Sequence, residues 1–230
     1  MFGGRPAAGA VVTWTLVAIN VAVFLVAWVR PGIVTDLEML GYAQYGGAPH
    51  GVAAHEWYRL ITSAFVVPGA GLSGLGFLDI VFNMWALVFV GPALEGFLGR
   101  LRFLAVYLLS AVGGGVMYYF LAPPNAAAVG ASGAVFGLFG AWFVVARRLR
   151  VDTRGIVMLI AINLALSLFW RSAIAWQAHI GGLLTGALLT AAYAYAPGKN
   201  RAALQALATI AVAAVLVIAV AVRTGQLTAG

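Results

Sequence analysis

Four residues of this chain have types that could work together chemically: Ser132, His179, Asn83 and Asp79. Each lies near the N-terminal end of a long apolar run, Asp79 and Asn83 in one, Ser132 in a second and His179 in a third. Polar groups inside a bilayer are costly, so each is a functional candidate by default. A serine hydroxyl becomes a nucleophile when a base stands beside it, and histidine is the commonest base. An amide N–H from Asn83, together with backbone N–H groups at a helix start, could hold the negative charge that develops on an attacked carbonyl. Together they supply the parts of a serine hydrolase, placed within a membrane.

The local sequence around each residue fits that use. In Gly130-Ala131-Ser132-Gly133 the glycines expose the hydroxyl and let a substrate backbone approach closely. Backbone N–H groups at a helix start lack intrahelical partners and point toward developing negative charge. The same glycines also have a packing use. Gly130, Gly133, Gly137 and Gly140 form a small-residue stripe of the kind that draws membrane helices together. The two uses are compatible, because close packing brings a base within reach. His179 is the only histidine in an apolar run, and Gly182 and Gly186 after it make a second close-contact surface. Its bland use would be an interhelical hydrogen bond.

Asp79 and Asn83 are four residues apart and so share one helix face. An ionised Asp79 would oppose an oxyanion, whereas a neutral one could donate a hydrogen bond to it. Asp79 could also pair with His179 as the third member of a triad. The sequence leaves all three open.

These residues need helices to position them, and the composition supplies helices of a particular kind. Of the 230 residues, 63% are hydrophobic and 8% charged. Soluble domains carry about 25% charged residues, so this is an integral membrane protein. The short alternating segments of a barrel are absent, and the apolar runs reach the roughly 20 residues a helix needs to span. The absence of cysteine excludes disulfides, thiolate zinc sites and a cysteine nucleophile. Metal binding is disfavoured, because no second His lies in the spans. The net charge of +7 is best explained by membrane topology, not by nucleic-acid binding.

Seven spans are expected, at about 11–29, 77–97, 102–121, 131–147, 155–170, 174–195 and 204–222. The fifth is the least apolar in pattern, since Asn163 and Ser167 interrupt it. The segment from Arg30 to Gly76 is too polar and Gly-rich to span, and reads as a structured loop partly embedded in one leaflet. A cytoplasmic N-terminus puts nine of the thirteen basic residues inside, among them Arg147, Arg148, Arg150 and Arg154, and leaves Arg30, Arg59, Arg171 and Arg223 outside. The second, fourth and sixth spans then all run inward. At about 1.5 Å of rise per residue, His179 sits about 8 Å below the start of its span, so all four polar residues are expected at similar depth in the outer leaflet.

The residues resemble the rhomboid family of intramembrane serine proteases over nearly the whole chain. Gly130-Ala131-Ser132-Gly133 resembles the family's GxSG nucleophile motif, and Ala178-His179-Ile180-Gly181-Gly182 its histidine motif. Phe82-Asn83-Met84, with Gly91-Pro92 and Glu95 following, is similar to the segment carrying the oxyanion Asn. Glu56-Trp57-Tyr58-Arg59 resembles the family's first-loop signature. The resemblance implies an all-α polytopic fold, with a six-helix core over about 11–200, a short cytoplasmic tail at 1–10 and an additional C-terminal transmembrane helix within 201–230. It implies Ser132 as nucleophile, His179 as general base, and Asn83 with the Ser132 N–H as oxyanion donors. It implies no metal and no organic cofactor. Implied substrates are single-span or otherwise membrane-anchored proteins, cut near the outer face of the bilayer. Seven spans with no targeting extension fit a bacterial inner membrane.

The chain departs from the family pattern in two places. The family often has His where Asp79 stands, and some members have Tyr where Phe136 stands. Loss of one oxyanion donor commonly costs on the order of 10²–10³ in rate, not all activity. The alternatives are a weak or inactive rhomboid-like protein that binds transmembrane helices, and a small transporter or channel. The transporter reading is disfavoured because its polar residues would extend across the bilayer instead of clustering at one depth.

Overall fold

The structure is a computed structural model that describes residues 9–67 and 75–229. Residues 1–8, most of the expected tail, and 68–74 of the Arg30–Gly76 segment lie outside the described residues. Seven long helices fall where the apolar runs predict them: α1 (Val11–Val29), α4 (Leu75–Leu98), α5 (Arg100–Leu121), α6 (Ser132–Leu149), α7 (Arg154–Phe169), α8 (Trp176–Tyr195) and α9 (Arg201–Thr228). Two short helices, α2 (Gly32–Leu37) and α3 (Arg59–Thr62), lie between α1 and α4.

Among the described residues, α1, α4, α5, α6 and α9 are long and apolar enough to cross a membrane, which makes this a multi-pass membrane protein. The other two expected spans fall short for separate reasons. α7 has 16 residues, about 24 Å of helix. α8 has 20 residues, but His179, Gly181, Gly182, Thr185, Gly186 and Thr190 reduce its hydropathy. Those six are buried, so its polarity is turned into the bundle and away from lipid.

Paired contacts at opposite ends fix the helix directions. Asp79 of α4 lies against Gly130 just before α6, and Phe97 near the end of α4 meets Trp142 late in α6. α4 and α6 therefore run parallel. Ser132 meets His179 at the starts of α6 and α8, and Arg148 donates to the Ala194 carbonyl at their ends, so these also run parallel. Gly99, at φ +81°, lets the chain reverse between α4 and α5. The starts of α4, α6 and α8 thus share one end of the bundle.

The core lies between α5, α6 and α8, with Tyr107, Leu138 and Leu189 fully buried. The interface of α6 and α8 is built on glycine. A Cβ at Gly182 would fall on the Gly133 carbonyl, and one at Gly186 on the Gly137 carbonyl. Gly133, Gly137 and Gly140 of the stripe predicted from sequence therefore form a helix-contact surface, whereas Gly130 precedes the helix and faces Asp79. α1 is tied to α4 by Glu95, which is fully buried. Its two oxygens accept from the Val12 N–H at 3.0 Å, the Thr13 N–H at 2.8 Å and the Thr13 hydroxyl at 2.9 Å. A carboxylate there satisfies donors that a helix start leaves open.

The described part of the Arg30–Gly76 segment is built from short elements. Strand β1 (Met39–Leu40) pairs antiparallel with β4 (Ala127–Ala128), and β2 (Ala43–Tyr45) with β3 (Ala48–His50). Buried Arg59 organises the segment. Its side chain donates to Glu56 at 2.6 Å and to the carbonyls of Thr35 and Glu38 at 2.8 and 3.0 Å. Tyr45, Trp57 and Tyr58 are exposed.

Candidate active site

Ser132 is the first residue of α6, and Gly130 is what turns the chain into that helix. Gly130 has φ +114°, a region L side chains rarely adopt, and its N–H donates to the Ser63 carbonyl at 2.9 Å. A Cβ there would also stand 3.0 Å from Asp79 Oδ2. One face of the serine loop is thus held by the long loop, the other by α4. Ser132 itself is half-buried.

Gly133 lets α8 approach. A Cβ at that position would lie 3.3 Å from the Ala178 carbonyl. This closeness brings His179 Nε2 to 2.8 Å from Ser132 Oγ, across 47 residues of sequence. The Phe136 ring, one turn along α6, stacks on the imidazole. The third contact to His179 comes from α7: Ser167 Oγ stands 2.8 Å from Nδ1. Both ring nitrogens are therefore engaged by serines.

Asn83 is buried and donates through Nδ2 to Asp79 Oδ1 at 3.0 Å. Of the uses left open for Asp79, partnership with His179 is taken by Ser167 instead. Asp79 is a neighbour of Asn83 and of the serine loop. Ser132, Gly130 and Gly133 line a cavity of about 30 Å³, with Ser63, Tyr118, Val129 and Ala178 on its other walls. That volume is room for a water molecule. The first-turn N–H groups of α6 have no carbonyl one turn earlier within the helix, so donors are present beside the hydroxyl.

The structure brings together Ser132, His179, Gly130, Gly133 and Gly182 in one cluster, with Asp79 and Asn83 on its α4 side. Gly186 lies one turn further along the same helix contact. Arg59 sits in the segment that meets the start of α6 at this end of the bundle, bonded to loop carbonyls and to Glu56. The sequence shows Ser167 only as an interruption of the fifth span. The available signal was its pairing with Asn163 at i,i+4, two polar residues on one face of an apolar helix.

Residues 54–196 match the rhomboid domain, more than half of the chain. A putative rhomboid protease of Bacillus subtilis (strain 168), YdcA, is 39% identical over 145 residues, covering 61% of this chain and 69% of that protein. Rhomboid protease GluP of the same organism is 33% identical over 186 residues, covering 78% of this chain but only 34% of GluP. Rhomboid protease AarA of Providencia stuartii is 26% identical over 232 residues, covering 86% of this chain and 78% of AarA. The chain belongs to the rhomboid family.

Proposed function

We propose that this chain is an intramembrane serine endopeptidase with Ser132 as nucleophile and His179 as general base. The observation that carries the reading is the 2.8 Å approach of His179 Nε2 to Ser132 Oγ at the start of a helix. In the reaction, Ser132 Oγ attacks the scissile carbonyl carbon while its proton passes to Nε2. The oxyanion is held by the Ser132 N–H and the Asn83 amide. As the C–N bond breaks, Nε2 returns the proton to the departing amine. Water then attacks the acyl-serine, gives a proton to Nε2, and the acid product leaves as Ser132 Oγ regains that proton.

The substrates are membrane-anchored proteins, cut near the outer face of a bacterial inner membrane with the N-terminus of the enzyme in the cytoplasm. The positive-inside distribution of Arg and Lys supports that orientation. The names of the similar bacterial proteases support the reaction class.

One observation favours a second reading, a weak enzyme or a helix-binding protein without activity. The Asn83 amide is bonded to Asp79, which draws a donor toward a carboxyl group. The test is cleavage of a fluorescent membrane-anchored substrate in proteoliposomes by wild type, Ser132→Ala and His179→Ala. Cleavage by wild type and by neither variant is expected. Wild-type protein that binds substrate helices but cleaves none, across several substrates and pH values, would favour the second reading.

A further inference from the structure

We propose that Ser167 is a positioning residue that sets the tautomer and plane of His179, completing a chain Ser132–His179–Ser167 across three helices. This rests on the reading of Ser132 as nucleophile and His179 as base. The argument turns on one hydrogen. Ser167 Oγ lies 2.6 Å from the Asn163 carbonyl oxygen and 2.8 Å from His179 Nδ1. An oxygen–oxygen contact of 2.6 Å needs a hydrogen between the atoms, and a carbonyl has none to give. The Ser167 hydroxyl therefore donates to Asn163, the back-bond serine commonly makes one turn along a helix. Toward His179 it can only accept.

Nδ1 must then carry the proton, and Nε2 presents its lone pair to Ser132. This is the tautomer a base needs. When Nε2 takes up the serine proton, Nδ1–H keeps its acceptor and no group has to move. The position is also dry. Ser167 is 2% exposed and His179 6%, so water has little room to replace the hydroxyl. Ser167 is the one fully buried residue of α7, whose Ile156, Leu159, Ile160 and Leu164 are half-buried against the core. The seating of α7 is thereby linked to the protonation geometry of His179.

The test has two arms. In the first, Ser167→Ala should lower kcat about tenfold with KM unchanged, as expected for one orienting hydrogen bond, and Ser167→Thr, which keeps a hydroxyl able to back-bond, should restore it. In the second, ¹⁵N-histidine-labelled protein in lipid nanodiscs reports the His179 tautomer directly. The chain has three histidines, and His179→Ala identifies the signal. Wild type should show Nδ1 protonated, and Ser167→Ala a mixture. Unchanged kcat in Ser167→Ala, a rise in KM alone, or a wild-type ring protonated at Nε2 would each overturn the proposal. The second arm needs no turnover. If wild type cleaves nothing, the endopeptidase reading fails, and the tautomer still decides whether Ser167 holds the ring as argued.

Discussion

The ring of Phe136 lies flat against the imidazole of His179, with centroids 4.2 Å apart and planes 9° from parallel. Some family members carry Tyr at this position, and Phe136 offers the same ring without the hydroxyl. The stack restricts the imidazole to one plane, and in that plane Nε2 points at Ser132 and Nδ1 at Ser167. An aromatic pair contributes about 1 kcal/mol beyond simple burial. Phe136→Leu is expected to lower kcat about fivefold through loss of that restraint, with KM little changed. Phe136→Tyr keeps the ring and should stay near wild type. A Phe136→Leu enzyme with wild-type kcat would show that the two serines alone fix the ring.

The bond from Asn83 to Asp79 makes a prediction of opposite sign. Oxyanion stabilisation depends on donors aimed at the developing charge, and a carboxyl acceptor beside Asn83 competes for its amide. Asp79→Leu removes that acceptor at nearly constant size, so it is expected to raise kcat. Asn83→Ala is expected to lower it by about 10²–10³. Single-turnover cleavage of one model substrate by the three proteins measures both. If Asp79→Leu is slower than wild type, Asp79 supports the site, and competition for Asn83 is the wrong account.

Much of this arrangement is legible in the sequence because apolar length and glycine spacing are local signals. α1 runs from Val11 to Val29, as its apolar run predicts, and ends where Arg30 and Pro31 interrupt it. α6 begins at Ser132 because Gly130, in a backbone conformation L side chains rarely adopt, turns the chain into the helix. α9 continues to Thr228, beyond the expected end near 222. Arg223 limits the apolar stretch but not the helix, since its guanidinium donates to the Tyr119 carbonyl and the backbone ladder continues. The interior of the Arg30–Gly76 segment was not legible. It is built from distant partners, Arg59 with the Thr35 and Glu38 carbonyls and Met39 with Ala128, which no local pattern announces. Ser167 was hidden for the same reason, because its partner His179 lies on another helix.

The contact of α6 with α8 holds Ser132 and His179 together, and its tolerance is set by Gly186. A Cβ there would overlap the Gly137 carbonyl, a backbone atom that cannot swing aside. Overpacking of this kind costs about 1–3 kcal/mol. It should also push α8 away from α6 and lengthen the Ser132–His179 approach. Gly186→Ala is expected to lower both the melting temperature and kcat. Gly225→Ala is the control, since nothing lies within 4 Å of a Cβ built at Gly225 in α9. It should be neutral or slightly stabilising. Equal behaviour of the two variants would mean that the helix contact is looser than its geometry implies.

The loop around Arg59 makes stability depend on pH. Burial alone would raise the Glu56 carboxyl, but hydrogen bonds from Arg59, the Gly51 N–H and His50 together hold it below its ordinary value. A carboxyl group lowered in the folded state contributes stability above its unfolded pKa, and that contribution is lost as pH falls through the folded value. Glu38 acts in the other direction. Its burial raises the carboxyl, and the Arg59 charge offsets only part of this. Its contribution is therefore present in acid and declines as pH rises through the raised value. Glu56→Gln isolates the first effect. The variant should melt below wild type at neutral pH, and the two curves should converge below the ordinary carboxylate range, where Glu56 is protonated in both states. Thermal melts of the detergent-solubilised proteins across that range measure it. A constant gap between the curves down to the lowest pH would mean that Glu56 acts through packing and not through its charge.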